Sequence, residues 1–106
     1  MNQAEGQILR EFKRLLLERS VPVYDVILFG SRARGDADPE SDFDVLVITH
    51  ELNREIRRTI SRCAWEIGYD VGVVIQTVAM SRREAEETPQ RSSLFMRAVE
   101  EEGLRI

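Results

Sequence analysis

Between residues 29 and 48 the chain reads Phe-Gly-Ser-Arg-Ala-Arg-Gly-Asp-Ala-Asp-Pro-Glu-Ser-Asp-Phe-Asp-Val-Leu-Val-Ile. Two parts of this stretch hold residue types suited to phosphate chemistry. The first is Gly30-Ser31. Glycine lets a backbone turn sharply and approach a ligand closely, and a serine hydroxyl beside the free amides of a helical turn offers donors to phosphate oxygens. Arg32 and Arg34 place charge-assisted donors nearby. No Gly-Lys-Ser/Thr follows, so this is not a Walker A loop. The second part is Asp42-Phe43-Asp44. On a strand, residues i and i+2 share a face with side-chain bases roughly 6–7 Å apart, a spacing at which two carboxylates converge on one hard cation. Magnesium takes such carboxylates together with substrate phosphates.

Taken singly, neither part is diagnostic. A Gly-Ser turn with arginines is most often just a turn, and Asp-x-Asp often just opens a strand at its wet end. Asp70 adds weight. It falls in a third apolar stretch, residues 69–78, and if that strand neighbours the second, three carboxylates gather at one sheet end. At an effective dielectric of 20 and about 5 Å, each pair repels by roughly 3 kcal/mol, a poor arrangement without a cation to neutralise it. The expected site is therefore a phosphate turn, two arginines and three acids (Asp42, Asp44 and Asp70) suited to two magnesium ions. Paired metals of this kind stabilise the attacking and leaving oxygens of a phosphoryl-type displacement.

The elements that must position these residues are legible in outline. Asn2 with Glu5 forms a capping-box signature, and Ile8, Phe12, Leu15 and Leu16 recur at helical spacing, predicting a helix to about Arg19 that Pro22 stops. Residues 23–29 are almost continuously apolar, as in a strand buried on both faces, and Gly30 ends them. Residues 31–41 read as a short helical turn and a polar loop. A second strand over 42–49 sets Asp42, Asp44, Leu46 and Ile48 on one face and Phe43, Val45 and Val47 on the other. Ile56, Ile60, Ala64 and Ile67 mark a long helix ending at Gly68, and the third strand follows over 69–78, interrupted by Gly72. Ser81 with Glu84 opens a short helix, Pro89 breaks the chain, and a last helix from near Ser92 to Gly103 uses Leu94, Phe95, Ala98 and Val99 as its apolar stripe. The expectation is an α/β (α+β) fold, a small mixed sheet flanked by helices, as one domain over residues 1–106.

Composition narrows the function classes. With 106 residues, 42% hydrophobic and 32% charged, the chain has material for one core of about 13 Å radius of gyration and no second. Recognition of a large substrate is then expected to fall to a partner. No apolar run approaches the roughly 20 residues that span a bilayer, and the first residues lack a signal-peptide layout. A single cysteine, Cys63, excludes disulfide scaffolds and cysteine-rich zinc sites. A cytoplasmic location is the expectation. The net charge of −4 speaks against bulk, salt-driven nucleic-acid binding. His50 reads as solvated and Cys63 as core. Trp65 and Tyr69 read as packing residues, Asp36, Asp38 and Glu40 as an acidic loop, and the Arg57-Arg58 and Arg82-Arg83 pairs as exposed helix faces.

Gly30-Ser31, ten residues, then Asp42-x-Asp44, within Gly-Ser-Arg-Ala-Arg-Gly-Asp-Ala-…-Ser-Asp-Phe-Asp-Val-Leu-Val, resembles the signature of the DNA polymerase β-like nucleotidyltransferase superfamily. More closely it resembles the minimal nucleotidyltransferases, antitoxin-type proteins often paired with HEPN ribonuclease toxins. The resemblance covers about residues 23–78. It implies the nucleotidyltransferase fold and transfer of a nucleoside monophosphate, AMP from ATP, with release of pyrophosphate. Asp42 and Asp44 would ligate two magnesium ions, and Asp70 would complete the metal site and help activate the acceptor hydroxyl. Gly30 and Ser31 would hold the triphosphate, with Arg32 and Arg34 as further contacts. In paired systems the acceptor is a tyrosine of the HEPN-type toxin. A different class of function also fits the residues: a non-catalytic nucleotide-binding module that neutralises its partner by contact.

Overall fold

The computed structural model describes residues 1–87 and 94–106 of the chain. In chain order its elements are α1 (Gln3–Glu18), β1 (Val23–Phe29), α2 (Ser31–Arg34), β2 (Phe43–Thr49), α3 (Arg54–Val71), β3 (Ile75–Ser81), α4 (Arg82–Glu87), α5 (Leu94–Glu102) and β4 (Leu104–Arg105). The strands form one sheet in the order β3-β2-β1-β4. β1 is antiparallel to β2 and to β4, and β2 is parallel to β3, so the expected mixed sheet flanked by helices is what forms.

The anticipated caps close as drawn. Asn2 Oδ1 accepts from the Glu5 amide while Glu5 Oε1 accepts from the Asn2 amide, at 2.8 and 2.9 Å. Ser81 and Glu84 exchange the same pair of bonds at the start of α4. The breaks expected at Pro89 and near Ser92 lie outside the described residues.

Two apolar layers sandwich the sheet. On one side Leu9, Phe12 and Leu16 of α1 and Ile60, Cys63 and Ala64 of α3 pack against Val26, Leu28, Phe43, Val45 and Val47. On the other, Ile27, Leu46 and Ile48 meet Met80 and, from α5, Met96 and Val99. β2 is therefore covered on both faces, and its seven residues are all buried except Asp44, which is half-buried. Cys63 is fully buried in the first layer, a core residue as expected.

The third strand and the helix before it differ from expectation. α3 does not end at Gly68 but runs three residues further, to Val71, and is capped by Gly72 in a left-handed conformation (φ 75°, ψ 33°). The amides of Gly72 and Val73 both donate to the Gly68 carbonyl, closing the end. Gly68 serves a different purpose. A Cβ there would stand 2.5 Å from the Val73 carbonyl oxygen, so glycine is required for the returning chain to pass close beside the helix. As a result Tyr69, Asp70 and Val71 lie in the last turn of α3, and β3 begins only at Ile75. A short fourth strand, unforeseen in the sequence, follows Gly103 and covers the free side of β1.

Candidate active site

β1 and β2 run antiparallel with Phe29 opposite Asp44, so the end of one strand and the start of the other fall at the same edge of the sheet. Gly30 leaves β1 there with φ 76° and ψ −158°, a region essentially reserved for glycine. A Cβ on Gly30 would lie 2.5 Å from Asp44 Oδ2. The turn is thus pressed directly against the carboxylate. Gly30's carbonyl accepts from the amides of Ala33 and Arg34, both at 3.1 Å, forming the single turn of α2. The first amides of such a turn have no partner within it and stay available to an anion. Ser31 sits half-buried at its start.

Asp42, just ahead of β2, and Asp44, within it, are both half-buried. Among the described residues neither forms an ion pair with a basic side chain. Burial raises the Asp44 carboxyl above the ordinary aspartate range, and the neighbouring Asp42 charge raises it further; Arg34 opposes both. Two carboxylates that repel each other, half-withdrawn from water and without a cationic side chain at contact distance, make a donor set suited to a hard divalent cation.

The third carboxylate is not there. Asp70 lies on α3, exposed, bordering a groove shared with Gln7 and Arg10 of α1. Those helices cover the opposite face of the sheet from Asp44, so Asp70 does not join Asp42 and Asp44. The strand reading that placed it beside them failed because α3 continues past Gly68. Among the described residues no group of three or more His, Cys, Asp or Glu side chains converges on a point suited to a metal. The parallel register instead sets Gln76 directly beside Asp44, and Gln76 Nε2 donates to Asp42 Oδ2 at 2.6 Å. Gln76 is the residue that sequence reasoning missed. The expected strand over 69–78 already contains Gln76, but with Asp70 at its start the register beside Asp44 falls to the wrong residue.

The two arginines separate in role. Arg32 is largely buried and its guanidinium is committed. It pairs with Glu5 Oε2 at 2.9 Å, donates to the carbonyls of Pro39 and Ser41, and lies 4.0 Å from the centroid of the Phe43 ring. It holds the 35–41 loop against α1 and so fixes the backbone leading into Asp42; it has little left to offer a triphosphate. The Glu5 carboxyl is held below the usual glutamate range, first by its bond from the Asn2 amide and then, against the cost of burial, by Arg32. Arg34 is exposed, shared between Asp36 and Glu102 at 3.2 Å each, and its charge reaches Asp44. It is the exposed cation whose field reaches the carboxylate pair. A sequence alone does not separate two arginines two residues apart; their partners, Glu5 and Glu102, are distant in the chain.

A turn whose first amides have no partner within it is thus set against paired carboxylates at the end of a mixed sheet. The nucleotidyltransferase domain family matches residues 7–102, and the chain belongs to that family. A Methanocaldococcus jannaschii protein provisionally named a protein adenylyltransferase is 39% identical over 71 residues, covering 61% of this chain and 70% of that protein. A bifunctional uridylyltransferase/uridylyl-removing enzyme of Burkholderia thailandensis is 33% identical over 95 residues, 82% of this chain; the match spans 11% of that much longer protein. Among solved structures, a toxin–antitoxin complex with AMP-PNP superimposes with a TM-score of 0.64 at 19% identity, over 91% of this chain and 69% of the other. A Shewanella oneidensis MNT antitoxin complex with a tri-AMPylated HEPN toxin gives 0.53 at 17% identity, over 92% and 70%. At these identities the structural likeness establishes the nucleotidyltransferase fold. Among the described residues no helix is long and apolar enough to cross a membrane.

Proposed function

We propose that this nucleotidyltransferase domain, acting as a single unit, transfers a nucleoside monophosphate, AMP from ATP, to a hydroxyl of a macromolecular acceptor. We further propose that the acceptor is a HEPN-type ribonuclease toxin silenced by the modification. The observation that carries the chemistry is the contact of Gly30 with Asp44, which brings an anion-binding turn and a cation-binding carboxylate pair to one point. The relatives' names support adenylyl transfer and the pairing with a toxin.

In this reading Asp42 and Asp44 hold magnesium, two ions being the expected complement. Bound magnesium supplies charge neutralisation on the triphosphate and on the oxygens entering and leaving phosphorus. Gly30 and Ser31 hold the phosphate tail through backbone amides and the hydroxyl, and Arg34 adds a cation that can leave its acidic partners for the substrate. Gln76 holds Asp42 in place by its amide hydrogen bond. The acceptor oxygen bonds to the α-phosphorus, the bond from that phosphorus to the bridging oxygen of the β-phosphate breaks, pyrophosphate leaves with that oxygen, and the hydroxyl's proton passes to solvent water. Arg32 acts at one remove, by fixing the loop that delivers Asp42.

Gln76 also favours a second reading. An amide cannot take a proton or add charge for a second cation, so a site with two acids rather than three suits a module that binds nucleotide and masks its partner by contact. The test is incubation of purified protein with magnesium, each α-labelled nucleoside triphosphate and a cell lysate, beside the Asp42→Asn/Asp44→Asn double variant. A labelled protein band seen only with wild type is the expected result. Label on RNA would replace the acceptor. Nucleotide binding by calorimetry without label anywhere would select the contact-only module.

A further inference from the structure

The outer face of α3 carries a surface that the transfer chemistry does not use. At 3.6 residues per turn, positions 54, 58, 61, 62, 65 and 69 fall within one sector of about 100°. They are Arg54, Arg58, Ser61, Arg62, Trp65 and Tyr69, and all are exposed. The sector contains no acid. Glu55, Glu66 and Asp70 lie on the flank that faces α1, where Glu66 is taken by Arg19 at 2.9 Å. Among the described residues Arg54, Arg58 and Arg62 form no ion pair, in a chain whose net charge is −4. Beside them Trp65 is 67% and Tyr69 75% exposed, stacked on each other with centroids 5.3 Å apart. Val74, 55% exposed, shares a shallow groove with the two rings. Exposed arginines alone are a solvated helix face. Two stacked aromatic side chains left in water beside three unpaired arginines are not, because exposed apolar side chains that adjoin one another, unlike scattered single ones, mark a contact surface.

We propose that this face of α3 docks an acidic, apolar-anchored segment of a partner protein. Its identification with the acceptor of the transfer reaction rests on the function proposed above. Three observations select this occupant. The charge complement of three free arginines is a row of carboxylates. Trp, Tyr and Arg together are the residues most enriched where proteins bind proteins. The aromatic end is flanked by aliphatic Val74, which suits a Leu or Phe anchor. The surface also ends where the site begins. Tyr69 lines a second groove with Glu40 and Ser41, next to Asp42, and the Val74 carbonyl accepts from the Phe43 amide at 2.9 Å. A segment lying along α3 toward its C-terminus is thereby led to the loop that precedes Asp42.

Trp65 is the sole tryptophan of the chain, so its fluorescence reads this surface directly. The probe is an amphipathic peptide of about fifteen residues rich in Glu and Asp with Leu and Phe anchors. It is run beside its Lys-substituted counterpart and a single-stranded oligouridylate. The acidic peptide should change Trp65 emission saturably, bind more weakly as salt rises, and lose affinity by about tenfold or more in Arg58→Glu/Arg62→Glu. No saturable change, or affinity indifferent to the charge reversal, overturns the proposal. So does tighter binding of oligouridylate, which makes the face a nucleic-acid surface, or an emission change that follows protein concentration alone, which makes it a contact between copies of this chain. The readout needs no catalysis. Asp42→Asn/Asp44→Asn should bind the peptide as wild type does, so a chain that docks but labels no acceptor refutes the transfer reading and leaves the docking face standing.

Discussion

Replacing Gly30 with alanine tests the central contact of the site. Two separable costs are expected. The backbone at φ 76°, ψ −158° is a region where a non-glycine residue costs about 1–3 kcal/mol. The new methyl would also stand 2.5 Å from Asp44 Oδ2, 3.3 Å from Cγ and 3.4 Å from Cβ, so the carboxylate has to swing aside. Because a short side chain rather than backbone yields, the second cost falls mainly on the site. Gly35→Ala is the control, since Gly35 has φ 83° but nothing within 4 Å of a built Cβ, leaving a left-handed penalty of about 1–2 kcal/mol and no clash. For a domain of this size each kcal/mol moves the melting midpoint by roughly 4–6 °C. Gly30→Ala should therefore melt about 5–15 °C below wild type, and further below than Gly35→Ala. A double-mutant cycle with Asp44→Ala isolates the clash, with an expected coupling of about 0.5–1 kcal/mol. Calorimetric titration with magnesium and nucleotide should show binding lost in Gly30→Ala and kept in Gly35→Ala. Equal melting of the two glycine variants, zero coupling and intact binding would together refute the argument that the turn and the carboxylate are built as one unit.

Other outcomes follow from the same geometry. Asp44 has its carboxyl raised by burial and by Asp42, so its charged form is disfavoured in the fold; that cost is present above its folded pKa and vanishes as pH falls below the ordinary aspartate value of about 3.9. Asp44→Asn should accordingly melt higher than wild type at pH 7 in the absence of metal, converge with it in acid, and transfer nothing; a lower melting point at pH 7 would contradict the assignment. Magnesium affinity should fall off with acidification at a higher pH than an unperturbed aspartate pair requires, as read by calorimetry across a pH series. Gln76→Glu, which restores a third carboxylate beside Asp42 and Asp44, should tighten cation binding and lower metal-free stability, and unchanged cation affinity would count against the site. Arg32→Ala should cost about 3 kcal/mol in a urea melt by stranding Glu5 in a largely buried position, whereas Arg34→Ala should stay within about 1 kcal/mol and weaken nucleotide binding instead.

Much of this was legible in the sequence because the signals were local. The Gly30-Ser31 turn, the Asp42–Asp44 alternation and the capping boxes at Asn2 and Ser81 each depend on neighbours within four residues. What was not legible depends on closeness across the chain. Gly68 and Gly72 both look like helix terminators, and only the approach of the Val73 carbonyl to Gly68 tells that the first is a packing glycine and the second the cap. That ambiguity displaced the start of β3, put Asp70 on the wrong element and left the register of Gln76 beside Asp44 unread. Arg32 and Arg34 were indistinguishable for the same reason, one being claimed by Glu5 from α1 and the other by Glu102 from α5. Trp65 and Tyr69 fit a packing role by type, but helical spacing from the Ile56, Ile60 and Ile67 stripe puts them on the outer face of α3, where both are exposed. β4 is two residues long, too short to carry a periodic signal.

β3 forms one margin of the sheet, and its pairing has a consequence for how the molecule behaves in concentrated solution. The Phe43 amide donates to the Val74 carbonyl, and the alternation of a parallel ladder then turns the Ile75, Thr77 and Ala79 carbonyls outward. Open margins of this kind, here with Val78 at the surface, are templates on which a foreign strand can add and aggregation can start. One outward acceptor is already engaged, since the Arg57 guanidinium donates to the Ala79 carbonyl at 3.4 Å. That long bond contributes little to folding, but it sets a bulky charge across the margin, and such a charge deters strand addition. Arg57 is thus a gatekeeper of colloidal stability, and its loss would register in light scattering before it registered in a melting curve.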